Sequence, residues 1–97
     1  MGERHMKTER RGPFRTTLKR HPGKGGWIYI SVPKTLTPPI TRAWARTPVH
    51  ANVDGVAWDT SVWRAKTGEG FLPVPKRIRG DKGEGDRVVV EFVFVDD

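Results

Sequence analysis

The chain contains no cysteine, no long apolar run and little stretch free of helix breakers. Without cysteine there is no disulfide framework, no thiolate zinc site and no cysteine nucleophile, and a small domain that lacks such staples fits a reducing compartment. A cytoplasmic address is therefore expected. No segment approaches the roughly 18 apolar residues that cross a bilayer, and the charged start lacks the apolar core of a signal peptide, so no membrane partner is expected. Eleven glycines and eight prolines point away from long helices. The three histidines, His5, His21 and His50, are far apart, and none has a second histidine three or four residues away. No metal site is readable from such spacing, and no cofactor is expected.

What is present is enough for one small core. At 97 residues the chain supports a single compact domain, with 35% apolar and 30% charged residues. Its net charge of +7 is concentrated near the start. Residues 1–24 carry Arg4, Lys7, Arg10, Arg11, Arg15, Lys19, Arg20 and Lys24 against only Glu3 and Glu9, whereas residues 56–97 are close to neutral. Such a run reads in two ways: as a patch that meets polyanions such as nucleic acid, or as a solvated, flexible leader over residues 1–12 that precedes the domain proper. Within it, His5-Met6 has the form a cloning site leaves behind, which makes Met6 the expected natural start.

Local patterning is that of strands and turns. Phe14–Leu18 alternates apolar and polar residues, and His21-Pro22-Gly23-Lys24-Gly25-Gly26 ends it. That loop is a poor phosphate cradle because no helix start follows it. Trp27–Val32 places Ile28, Ile30 and Val32 on one face and Trp27, Tyr29 and Ser31 on the other. Thr35-Leu36 can hold one helical turn before Pro38-Pro39 stops it. Thr47–Val53 presents Val49, Ala51 and Val53 inward, and Asp54-Gly55 is a two-residue hairpin signal leading into Val56–Trp63, where Val56, Trp58 and Val62 share the inward phase. Phe71–Lys76 follows a second glycine loop, with a short helical turn at Lys76–Arg79 that Gly80 stops. Val88–Val95 is apolar on both faces except at Glu91, as in a strand in the middle of a barrel or at a subunit interface.

These segments repeat. Phe14–Leu18 corresponds to Trp58–Val62, and Val32-Pro33-Lys34 corresponds to Val74-Pro75-Lys76, so that halves of about 13–55 and 56–97 run through the same order of elements. Neither half can bury a core alone, and the pair is expected to share one β-barrel about a pseudo-twofold axis over residues 13–97.

The order Gly25-Gly26-Trp27, Pro33-Lys34, Asp54-Gly55, Leu72–Lys76, Ile78-Arg79 and Gly85-Asp86 resembles the bacterial DUF1905 family. More distantly, Val74–Arg79 followed by Gly85–Val90 resembles the AbrB/MazE type of swapped-hairpin domain. The resemblance implies a mostly β fold, a small double-split β-barrel with an internal repeat and one or two short helical turns, and no particular activity. The link Gly80–Glu84 is short for the AbrB pattern, and Asp81, Glu84 and Asp86 put acid near the candidate arginines.

For function, the expectation is a non-enzymatic binding module. Lys7, Arg10, Arg11, Arg15, Lys19, Arg20 and Lys24 are the candidate polyanion-binding residues, with nonspecific nucleic acid as partner. Lys34, Lys76, Arg77 and Arg79 are further basic candidates on the two repeated turns. Trp27, Tyr29 and Trp63 fall on the outward phase, where they can stack bases, anchor a protein partner or a second copy of the chain, or be covered by the leader. His50, Asn52, Asp54 and Asp59 form the sole polar constellation on strands. Acid–base work is open to a histidine with a carboxylate, but no nucleophile accompanies them, and the solvent face of a hairpin explains them as well.

Overall fold

A computed structural model describes residues 7–23 and 25–96. In chain order the elements are β1 (Lys7–Thr17), β2 (Lys19–Arg20), β3 (Ile28–Val32), a 3-10 turn (Lys34–Leu36), β4 (Arg46–Val53), β5 (Val56–Arg64), β6 (Gly70–Pro73), α1 (Lys76–Arg79) and β7 (Arg87–Asp96). The strands form one antiparallel sheet in the order β1-β7-β4-β5-β6-β3-β2. Leu18 alone separates β1 from β2, the strands at the two ends of that order. One nearly continuous segment therefore pairs with β7 through its first part and with β3 through its last, and the sheet curls into a half-barrel.

Alternation along each strand fills the concave side, because successive side chains of a strand point to opposite faces. Ile30, Val32, Val49, Ala51, Val53, Leu72, Val88, Val90, Phe92 and Phe94 are buried there, joined by Leu18 from the break between β1 and β2. Burial of a phenylalanine side chain stabilises by about 1.5–3 kcal/mol, so Phe92 and Phe94, both buried, are among the largest single contributions. The strand that is apolar on both faces, β7, lies in mid-sheet between β1 and β4, and leaves Val89 and Val95 on the convex side at 41% and 37% exposure.

Turn chemistry follows the sequence. Asp54 and Gly55 take φ of 50° and 90°, the left-handed pair of a tight hairpin, and the flanking Val53 and Val56 face each other in register. Pro33 and Pro75 each open a single turn, in which Leu36 N–H donates to the Pro33 carbonyl and Ile78 N–H to the Pro75 carbonyl, both at 2.9 Å.

Two expectations need correction. Lys7–Arg11 pair with β7, so that part of the expected flexible leader forms the first half of β1. Val56 is exposed at 42% although its partner Val53 is buried, because Val53 lies between β5 and β7 whereas β6 pairs only with the Trp63–Arg64 end of β5 and leaves the Val56 end uncovered on that side. The expected start at Met6 lies outside the described residues.

A bulge in β1 sets which side chains face out. Arg11 stands opposite Phe92 and Phe14 opposite Val90, so Gly12 and Pro13 together face the single residue Glu91. Glu9 and Arg11 turn inward before it; Phe14, Thr16 and Leu18 turn inward after it. The extra residue thereby places Arg15, Thr17 and Lys19 on the outer surface. Gly12 adopts φ of 97°, and a Cβ there would stand 2.7 Å from the Val90 carbonyl oxygen. Gly12→Ala should therefore cost about 1–3 kcal/mol in urea unfolding, whereas Gly83→Ala, at a site with open space, should stay within about 0.5 kcal/mol of wild type. Equal stabilities would show that the bulge does not require glycine.

Candidate functional site: an aromatic ladder and a basic cleft

Across the outer face of β5, β6 and β3 runs a ladder of rings. Trp63 and Phe71 are direct cross-strand partners and stack with centroids 6.2 Å apart at 16°. Phe71 meets Tyr29 edge-on at 6.4 Å and Trp27 at 6.1 Å, and Trp27 lies 5.1 Å from Tyr29. Beyond Trp27, the His21 ring stacks on the indole at 4.8 Å and 12°. That ring is held by two bonds of its loop: His21 N–H donates to the Trp27 carbonyl at 2.9 Å, and Gly23 N–H donates to His21 Nδ1 at 3.1 Å. The second bond requires an unprotonated Nδ1. Offset and edge-on contacts suit the ring quadrupoles, so the ladder is half-buried by its own members. Trp27 remains 38% exposed.

Beside the ladder is a shallow groove of about 250 Å³ lined by His21, Trp27, Tyr29, Ser31, Glu69 and Phe71. Basic side chains lie on the neighbouring strands, Lys19 and Arg46 in phase with the rings and Arg20 opposite the inward Ile28. Lys19 stands opposite Tyr29 in register and its Nζ donates to Ser31 Oγ at 3.1 Å; Arg46 stands opposite Trp63; and the Arg20 guanidinium lies against Gly26.

A second concavity, of about 470 Å³, lies on the outer face of β1 and β7. Arg15, Thr17, Arg87 and Val89 line it from the strands, and Asp54 and Lys82 from the adjoining turns. Asp54 is fully engaged: Oδ1 accepts the Val89 N–H at 2.8 Å and Oδ2 accepts Lys82 Nζ at 2.7 Å. The Lys82 hydrogen bond, then the Val89 N–H, hold its carboxyl below the usual carboxylate range against a small opposing effect of burial.

The structure distributes the remaining candidates. Arg10 pairs with Glu91, with Nε donating at 3.0 Å. Arg11 turns inward, 3.3 Å from Glu9 and with its guanidinium 4.9 Å from the centre of the Phe94 ring. Lys7 opens β1 opposite Asp96, and Lys24 lies outside the described residues. On the two Pro-Lys turns, the stem of Lys34 packs near Gly68, Lys76 and Arg77 are exposed, and Arg79 donates to the carbonyls of Val74 and Lys82 at 3.2 and 3.1 Å. The constellation around His50 separates. His50 and Asp59 pair across the hairpin with side chains 76% and 81% exposed, Asn52 accepts the Gly55 N–H, and Asp54 belongs to the cleft. Among the described residues, no three His, Cys, Asp or Glu side chains are grouped as metal ligands would be, and no helix is long and apolar enough to cross a membrane.

Sequence reasoning passed over His21, Phe71 and Arg87. The last two were legible in phase: Phe71 precedes the inward Leu72, and Arg87 precedes the inward Val88. His21 carried no such signal, because its loop has no period. Trp44 was also passed over. It is 86% exposed on the turn before β4 and, with Ala45, takes a positive φ (68° and 54°) that side-chain-bearing residues seldom adopt.

The fold and surface define a small antiparallel β domain whose polar features lie outside a packed concave core. Residues 14–92 match the family described as Domain of unknown function (DUF1905), and the chain belongs to that family. Comparison with curated proteins and with solved structures gives no match.

The Asp54–Lys82 pair carries a pH prediction. A carboxyl with a depressed folded-state pKa contributes stability above its unfolded pKa and loses it as pH falls through the folded value. Asp54→Asn, which keeps an acceptor for Val89, should lower stability at neutral pH by up to about 1 kcal/mol, as expected for a partly exposed ion pair. The difference from wild type should close in acid below the ordinary carboxylate range. Thermal melts across pH measure this, and a gap that persisted in acid would assign the effect to something other than the ionised carboxyl.

Proposed function

We propose that this domain is a non-enzymatic module that binds unpaired nucleic acid bases on the Trp63–Phe71–Tyr29–Trp27 ladder. One observation carries the reading: aromatic side chains of three adjacent strands are gathered on the outer face of the sheet, with Lys19 and Arg46 directly opposite Tyr29 and Trp63 on that face. Stacking on such a platform is tolerant of sequence because every base has a π-face, and the cations supply the salt-sensitive attraction to phosphate. Nucleic acid remains the partner of the basic surface, but its seat is the sheet face and not a free N-terminal arm. Arg10 and Arg11 support this shift, since both already have carboxylate partners.

The arrangement also supports the double-split barrel with a pseudo-twofold repeat, and with it the distant AbrB-like resemblance. Exchanging the halves replaces the β1–β2 segment with β5, β3 with β6 and β4 with β7. Every observed pairing then maps onto another observed pairing: β1 with β7 onto β5 with β4, β2 with β3 onto β5 with β6, and the β4–β7 and β3–β6 pairs onto themselves. The Pro33 and Pro75 turns exchange as well.

A second reading is favoured by the exposed Val89 and Val95 on β7, a stripe suited to a protein partner or a second copy of the chain. Sedimentation of a concentrated sample as a single monomeric species would exclude the second copy.

Fluorescence anisotropy with a short oligothymidylate tests the first reading. Trp27→Ala and Phe71→Leu should each weaken binding by about 5- to 150-fold, the value of one stacked base, and raised salt should weaken both variants and wild type alike. Wild-type affinity in both variants would remove the ladder from the function.

A further inference from the structure

We infer that the cleft between β1 and β7 is a phosphate-binding site in which Arg15 and Arg87 grip one oxyanion. Strand register brings the two arginines together. Arg10 stands opposite Val93, and its ion-pair partner Glu91 is two residues earlier on β7, at the diagonal position on the same face. Arg15 stands opposite Val89, and the residue at the same diagonal is Arg87. The geometry that gives Arg10 a carboxylate thus gives Arg15 a second cation, with diagonal neighbours about 7–8 Å apart at the backbone. Among the described residues, neither Arg15 nor Arg87 has a side-chain hydrogen bond or ion pair with protein.

The surroundings fit an anion. Thr17 stands opposite Arg87 and offers a hydroxyl, and Val89 provides an apolar floor. Among the described residues the single carboxylate lining the cleft, Asp54, already shares its charge with Lys82. Asp81, Glu84 and Asp86, the acids expected to repel phosphate, do not line the cleft, and Asp86 Oδ2 instead accepts the Gly83 N–H at 2.8 Å. A guanidinium presents paired donors to a tetrahedral oxyanion, and two of them on one face are better matched to a phosphate group than to a carboxylate. The phosphate group belongs to a nucleic acid backbone or to a free phosphorylated small molecule. The site lies apart from the aromatic ladder and does not rest on it.

The test titrates the full chain with inorganic phosphate while amide shifts are followed, with chloride at matched ionic strength as reference. Saturable shifts at Arg15, Thr17 and Arg87 are expected. Arg15→Met or Arg87→Met should reduce affinity at least tenfold, since each removes a charge-assisted contact. Arg10→Met and Trp27→Ala should leave it unchanged, so that failure of this site and failure of the ladder are told apart. Arg87→Glu gives the sharpest arm: a carboxylate on the diagonal of Arg15 should raise the melting temperature and abolish phosphate binding together. A parallel titration with oligothymidylate assigns the source, since loss of affinity in the Arg87→Glu variant marks the backbone phosphate, and unchanged affinity marks a small-molecule phosphate. Absence of saturable shifts in wild type, or phosphate affinity unchanged by Arg87→Glu, would overturn the inference.

Discussion

One constraint governs this domain: a single stretch of chain, Lys7–Arg20, must pair with strands at both ends of the sheet. Leu18 is the point where this is done. It is buried at 1% exposure, its N–H donates to the Asp86 carbonyl and its carbonyl accepts the Gly85 N–H, both at 2.9 Å. These bonds tie the break between β1 and β2 to the turn that precedes β7, so the segment can leave β7 and reach β3 without losing its ladder. A sheet too small to bury a face against a second layer thereby wraps its own core.

The same constraint shapes the outer surface. With the concave side committed to aliphatic side chains and to Trp58, Phe92 and Phe94, the rings of Trp27, Tyr29, Trp63 and Phe71 and most of the charge sit outside. Their grouping follows from register. Trp63 opposes Phe71, Arg15 has Arg87 at its diagonal, and the bulge at Gly12-Pro13 decides that Arg15, Thr17 and Lys19 share one face while Arg11 does not. The cleft and the ladder are joined by this line, since Lys19 reaches Ser31 at the edge of the groove.

Much of this was legible in the sequence, and the rest was not for definite reasons. Period-two alternation gave the inward faces of β3 and β4 and the Asp54-Gly55 hairpin, because side-chain phase and turn residues are local properties. The two Pro-Lys turns were read for the same reason. The family was legible from the order of short motifs, and the match over residues 14–92 establishes it. Period alone could not show that residues 7–12 continue a strand, since Glu9-Arg10-Arg11-Gly12 has charge where a strand usually shows apolar residues; its partner strand β7 supplies what is missing. Nor could it separate Arg10 and Arg11, with their glutamates, from Arg15, which has none. The difference between Arg10 and Arg15 arises from contacts between residues some seventy to eighty positions apart, and only pairing creates it.

The central functional claim is that the outer sheet face, and not an N-terminal arm, receives nucleic acid. Amide chemical-shift mapping during titration with a short oligothymidylate tests it most directly. The account predicts that the largest shifts fall on Trp27, Tyr29, Ser31, Trp63 and Phe71, with the indole N–H of Trp27 among them. Shifts confined to Lys7–Arg11, or no saturable shifts at low salt, would contradict it.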